Sequence, residues 1–131
     1  MYENLNIENF LIFPGSEFKL LSGLELGCSG IISATCNVTA SLSRKVYEDF
    51  FSKKSQTNNE KLCDVRKTFD RYNLISGLHS FMSGQDSIFK NILPPLSFLN
   101  SADKNKLISD LKKLILIYKL QRQHKCNLQL F

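Results

Sequence analysis

The stretch that decides the fold is Leu11–Asn37, LIFPGSEFKLLSGLELGCSGIISATCN. An apolar run, Phe10–Pro14, meets Gly15 and then Ser16, a residue type that caps helices. The next segment, EFKLLSGLELG, carries Phe18, Leu21 and Leu24 at intervals of three, with Leu20 widening the apolar face. That spacing predicts a short helix closed by Gly27. GIISATCN, residues 30–37, is apolar enough for a strand buried on both faces. The unit reads as strand, helix, strand. Its crossover of about a dozen residues suits parallel strands joined by a right-handed connection.

Outward from this unit the pattern is helical. Residues 1–8 read as a helix end or a loop leading into the first strand. Thr39 or Ser41 is placed to cap a helix with Leu42, Val46 and Phe50 spaced by four, and SKKSQTNN then breaks it. A second helix carries Leu62, Val65, Phe69 and Tyr72 on one face, and Gly77 and Gly84 punctuate a less regular stretch, LISGLHSFMSG. The paired prolines of ILPPLSFLN disfavour helix and keep that segment extended. Ser101 is expected to cap a last helix whose Leu107, Ile108, Leu111, Leu114, Ile115 and Tyr118 form an apolar stripe.

Two parallel strands do not make an independent sheet, because each leaves an unpaired edge. Parallel sheets belong to larger α/β folds with both faces covered. The expected architecture is therefore the C-terminal portion of a (β/α)8 TIM barrel, about two parallel strands, followed by C-terminal helices. In residue terms, 1–40 hold the last strand–helix–strand units, 41–120 the helical region and 121–131 a basic tail. A full barrel needs about 250 residues, roughly twice this length.

Composition bounds the function. The chain has 131 residues, 43% of them hydrophobic and 22% charged, as in an ordinary folded domain. LILIY at 114–118 is too short to span a bilayer, and MYENLNIENF has neither the basic start nor the apolar core of a signal peptide, so a cytoplasmic protein is expected. Cys28, Cys36, Cys63 and Cys126 form no C-x-x-C pair, and His79 and His124 stand at no metal spacing from them. No metal is expected. The net charge of +5 gathers at Lys112, Lys113, Lys119, Arg122 and Lys125. A helix C-terminus favours such charges, and no nucleic-acid motif accompanies them, so neither nucleic acid nor membrane is expected as a partner.

FPGSEFKLLSGLELGCSGIISATCNV resembles strands seven and eight, with the helix between them, of the dihydrodipicolinate synthase and N-acetylneuraminate lyase family of class I pyruvate aldolases. The likeness extends over about residues 5–117, with KNILPPLSFL near the family's P-P-L segment. Its specific core runs from Gly15 to Asn37. Departures are Gly77, where many relatives have lysine, and Leu93, where an arginine often precedes P-P-L.

In a barrel enzyme the active site lies at the C-terminal ends of the strands. The resemblance implies that Gly15 and Ile32 present main-chain groups to the pyruvate-derived part of the substrate. It likewise implies that Ser16 and Glu17 hold hydroxyls of an aldehyde arm. Ser33, Thr35 and Asn37 alternate along the second strand and would share one face, as polar lining.

The family's Schiff-base lysine, tyrosine proton shuttle and threonine pair lie on earlier strands. None of this chain's 13 lysines falls in an apolar strand, so the chain alone is expected to be inactive. The reaction needs no cofactor, since the lysine iminium is the electron sink. Its expected partners are a keto acid such as pyruvate, an aldehyde, and the upstream half of the barrel or a second copy. The alternatives are a standalone helical interaction module and, behind it, a basic nucleic-acid-binding domain.

Overall fold

The computed structural model describes residues 10–114. Contacts among them divide into two units, one ending at Arg66 and the other beginning at Lys67.

In the first unit an extended segment runs to Pro14, and the 3-10 turn Glu17–Lys19 passes directly into helix α1, Leu20–Glu25. The sequence stops α1 where expected. Gly27 adopts φ +85°, its amide donates to Leu24 O at 3.0 Å, and the Cys28 amide donates to Gly23 O at 2.8 Å. This pair of bonds satisfies the last carbonyls of the helix and requires a left-handed residue, which glycine supplies without cost from a Cβ.

A second extended segment, 28–33, follows. The Ser29 amide donates to Ile12 O at 2.9 Å and the Ile32 amide to Pro14 O at 3.1 Å, so the two segments run side by side in the same direction. They are not, however, the two strands expected from the sequence: no strand is formed among the described residues. The bonded positions are two apart on the first segment and three apart on the second, so the register slips by one. Gly30, at φ +152°, sits within the longer span and takes up the extra residue, much as a bulge does. An isolated pair of extended segments also lacks the neighbours that stabilise a sheet.

The second run ends sooner than its apolar pattern suggests. Helix α2, Cys36–Phe51, begins at Cys36 rather than after Thr39 or Ser41, with Thr35 as its N-cap residue. Asn37 therefore belongs to a helix and does not share a strand face with Ser33 and Thr35. Val46 of α2 packs with Leu20, Leu24 and Leu62, and Ile31, Leu42, Tyr47 and Phe50 close around this core.

Helix α3, Asn59–Phe69, carries Leu62, Val65 and Phe69 on one fully buried stripe, while Tyr72 lies beyond its end. In the second unit LISGLHSFM is regular helix, α4, Leu74–Met82. Asn73 caps it by accepting from the Ser76 amide at 3.1 Å. The 92–100 segment, expected to be extended, is helix-free but turns at Pro94–Pro95, a cis peptide, where the Leu96 amide donates to Leu93 O at 3.1 Å; the prolines that exclude helix also suit a tight turn. Beyond it the Leu99 amide donates to Ser80 Oγ at 2.9 Å. The last helix, α5, Ser101–Lys113, buries Leu107 and Leu111. Its cap is Asn100, one residue before the expected Ser101, accepting from the Asp103 amide at 2.8 Å. Ile115 and Tyr118 of the expected stripe, and the 121–131 tail, lie outside the described residues.

Candidate functional site

Gly15 follows the first extended segment, Ile32 lies near the end of the second, and the two are brought together. A Cβ added at Gly15 would stand 3.8 Å from the Ile32 carbonyl oxygen. Both residues are exposed, Ile32 to 72%. Ser16 is half-buried in the N-cap position of the 3-10 turn, makes no side-chain cap, and accepts through its carbonyl from the Lys19 amide at 3.0 Å. A recess of about 360 Å³ beside these elements is lined by Phe13, Leu20, Ile31, Cys36 and Tyr47 among others, and neither Gly15 nor Ile32 lines it.

Glu17 is placed differently from its three companions. Its side chain is 0% exposed and sits behind the turn. Ser33 Oγ donates to Oε2 at 2.8 Å, and Arg66 Nη1 donates to the same oxygen at 3.2 Å. Thr39 Oγ1 donates to Oε1 at 3.2 Å and the Cys36 thiol lies 3.7 Å from it. The Thr35 hydroxyl is 2.9 Å from Ser33 Oγ. A carboxylate offers about four acceptor positions. Those of Glu17 face side chains of the protein itself.

The electrostatics follow from this packing. Burial alone pushes the Glu17 carboxyl up, but hydrogen bonds from Thr35, Ser33, its own backbone and Arg66 together outweigh it and hold the pKa below the ordinary value. The Cys36 thiol is pushed up, first by burial and then by the nearby Glu17 charge, although Ser43 and Thr39 partly offset this. Both effects favour the neutral, hydrogen-bonding thiol over the thiolate.

A depressed carboxyl pKa stabilises the fold above the unfolded value of 4.5, and that contribution is lost as pH falls below it through the folded value. Urea midpoints measured from about pH 7 to about pH 3 should therefore fall more steeply for the wild-type chain than for Glu17→Gln. Parallel curves would show that Glu17 does not titrate differently on folding.

Sequence reasoning did not single out Arg66. The available signal was its register. It follows Leu62 by four and precedes Phe69 by three, so it lies beside the buried stripe of α3 where a solvated arginine does not belong. Elsewhere, His79 Nδ1 lies 2.9 Å from the Phe89 carbonyl oxygen, and His124 lies outside the described residues. Among the described residues no three His, Cys, Asp or Glu side chains gather as metal ligands, and no helix is long and apolar enough to cross a membrane.

The two segments run in the same direction and are joined by a helical crossover, with Gly15 and Ile32 exposed at one mouth. The model of the Dihydrodipicolinate synthetase family matches residues 3–114. The chain belongs to that family, whose members are aldolase-type lyases built on a TIM barrel. No curated protein and no solved structure matches the chain significantly.

Proposed function

We propose that this chain forms the C-terminal part of a pyruvate-type aldolase barrel. Phe10–Pro14 and Gly30–Ser33 are its last two strand segments, and α2 to α5 its helical flank. The observation that carries the reading is the parallel pairing of Ile12–Pro14 with Ser29–Ile32, which sets Gly15 beside Ile32 at one exposed mouth. Main-chain groups there face the keto acid, since glycine lets a backbone approach a ligand closely. Ser16 faces the hydroxyls of the aldehyde arm. Glu17 holds from behind the turn that presents Ser16. Phe10, Leu11 and Phe13 are also exposed, an apolar flank that the remaining strands of a barrel would cover.

The Schiff-base lysine is not one of this chain's own. Such an amine has to be desolvated to be neutral near pH 7, and none of the described lysines is buried. Carbon–carbon bond formation or cleavage thus requires the lysine-bearing part of the barrel. The iminium then serves as the electron sink, with no metal or organic cofactor.

Borohydride reduction in pyruvate, followed by peptide mass spectrometry, tests this on the chain alone and on the chain co-expressed with the lysine-bearing part of a family barrel. The chain alone should acquire no specific adduct. In the complex, the adduct should fall only on the supplied part. A stoichiometric adduct on one lysine of this chain, or failure of the two parts to assemble, would overturn the proposal.

A further inference from the structure

Arg66 comes from α3, 49 residues away from Glu17, and its side chain is 15% exposed. Its Nη1 lies 3.2 Å from Glu17 Oε2, 3.2 Å from Ser33 Oγ and 3.4 Å from Thr35 Oγ1. Ser33 gives its own proton to Glu17, so its lone pairs are left to accept from the guanidinium. The arginine therefore grips the carboxylate twice, directly and through Ser33. Glu17 belongs to the turn after the first extended segment, Ser33 ends the second, and Thr35 belongs to the turn that follows it. A fully buried carboxylate with no counter-charge is not sustained; it takes up a proton or draws in water. The other titratable group touching it, Cys36 on α2, offers only a neutral thiol.

We infer that Arg66 is a positioning residue for the candidate site, one whose charge keeps the buried Glu17 carboxylate bonded to Ser33, so that the Gly15–Glu17 and Ile32–Thr35 stretches are held together at the exposed mouth. The inference rests on the proposed function only for what the turns present; the holding itself is measured without substrate. Removing the guanidinium frees the turns while leaving the α2 packing around Val46 in place. Replacing Glu17 by the neutral glutamine removes the need for a counter-charge, yet its carbonyl still accepts from Ser33 or Thr39.

The test is amide hydrogen exchange on the full chain. In Arg66→Met, the Ser29 and Ile32 amides, which bridge the two segments, should exchange about tenfold faster or more relative to amides of α2, the loss expected when a charged hydrogen bond is removed. Adding Glu17→Gln should return them to within about threefold of the wild type. Uniform acceleration across the unit, unchanged Ser29 and Ile32 exchange, or a second loss on adding Glu17→Gln would each overturn the inference, because a mere packing role for the arginine stem predicts no rescue. Should Arg66→Met fail to fold, the double variant decides. A native far-UV circular dichroism spectrum for it supports the inference, and an unfolded one overturns it.

Discussion

Glu17→Ala should destabilise the folded chain by about 3–5 kcal/mol, the usual cost of removing one partner from a buried ion pair. The substitution takes the Glu17 carboxylate away from Arg66 and deprives the Ser33 hydroxyl of its acceptor, whereas Thr39 Oγ1 keeps the Thr35 carbonyl oxygen at 3.0 Å. Each buried polar group left unsatisfied costs about 1–3 kcal/mol. Arg66 keeps some access to water at 15% exposure, so part of its charge can be rehydrated and the effect should fall toward the lower end of the range. Urea denaturation followed by far-UV circular dichroism measures it. A loss below about 1 kcal/mol would mean that the cluster behaves in solution as a solvated surface pair. It would also remove the reason for assigning Glu17 to support of the turn. The surface pair Arg44–Glu48, with both side chains more than half exposed, is the built-in contrast: Glu48→Ala should cost well under about 1 kcal/mol.

How far these features were legible depends on whether their cause was local. The end of α1 at Gly27 and the Leu107–Leu111 stripe of α5 are set by nearest neighbours along the chain, and their residues announce them. The start of α2 is not set locally. Ile31 to Asn37 look like continuous strand, but Thr35 turns at the buried Glu17 cluster, and a contact made at distance decides where the helix begins. Helix α4 was hidden for the opposite reason. Its Ser76, Gly77 and Ser80 lower helix propensity, yet all three are buried, so tertiary packing overrides local preference. In the candidate site, the resemblance picked out Gly15, Ser16, Glu17 and Ile32, and the structure brings Gly15 and Ile32 together. What it could not reveal was that Glu17 is enclosed. That follows from Arg66, 49 residues downstream, for which the chain offers no spacing rule.

Phe69→Ala should destabilise the second unit by about 3–5 kcal/mol through the cavity it leaves. Phe69 is 0% exposed and meets the Phe81 ring edge-on, with centroids 6.1 Å apart and planes at 89°. Residue 77 lies against this ring. A Cβ at Gly77 would stand 3.4 Å from Phe69 Cδ1 and 3.7 Å from Leu107 Cδ2, so α4 approaches both side chains as closely as a methyl group allows. Gly77→Ala should be neutral or stabilising by up to about 1 kcal/mol, because the methyl makes ordinary contact and the helix gains propensity. Gly77→Leu should instead overpack and cost about 1–3 kcal/mol. Combined with Phe69→Ala it should cost less than the sum of the two, because the added side chain fills the space the ring vacates. Urea midpoints for the four chains measure this coupling. Strict additivity would mean that residue 77 and the Phe69 ring do not share one packing site, and the glycine would then need another explanation.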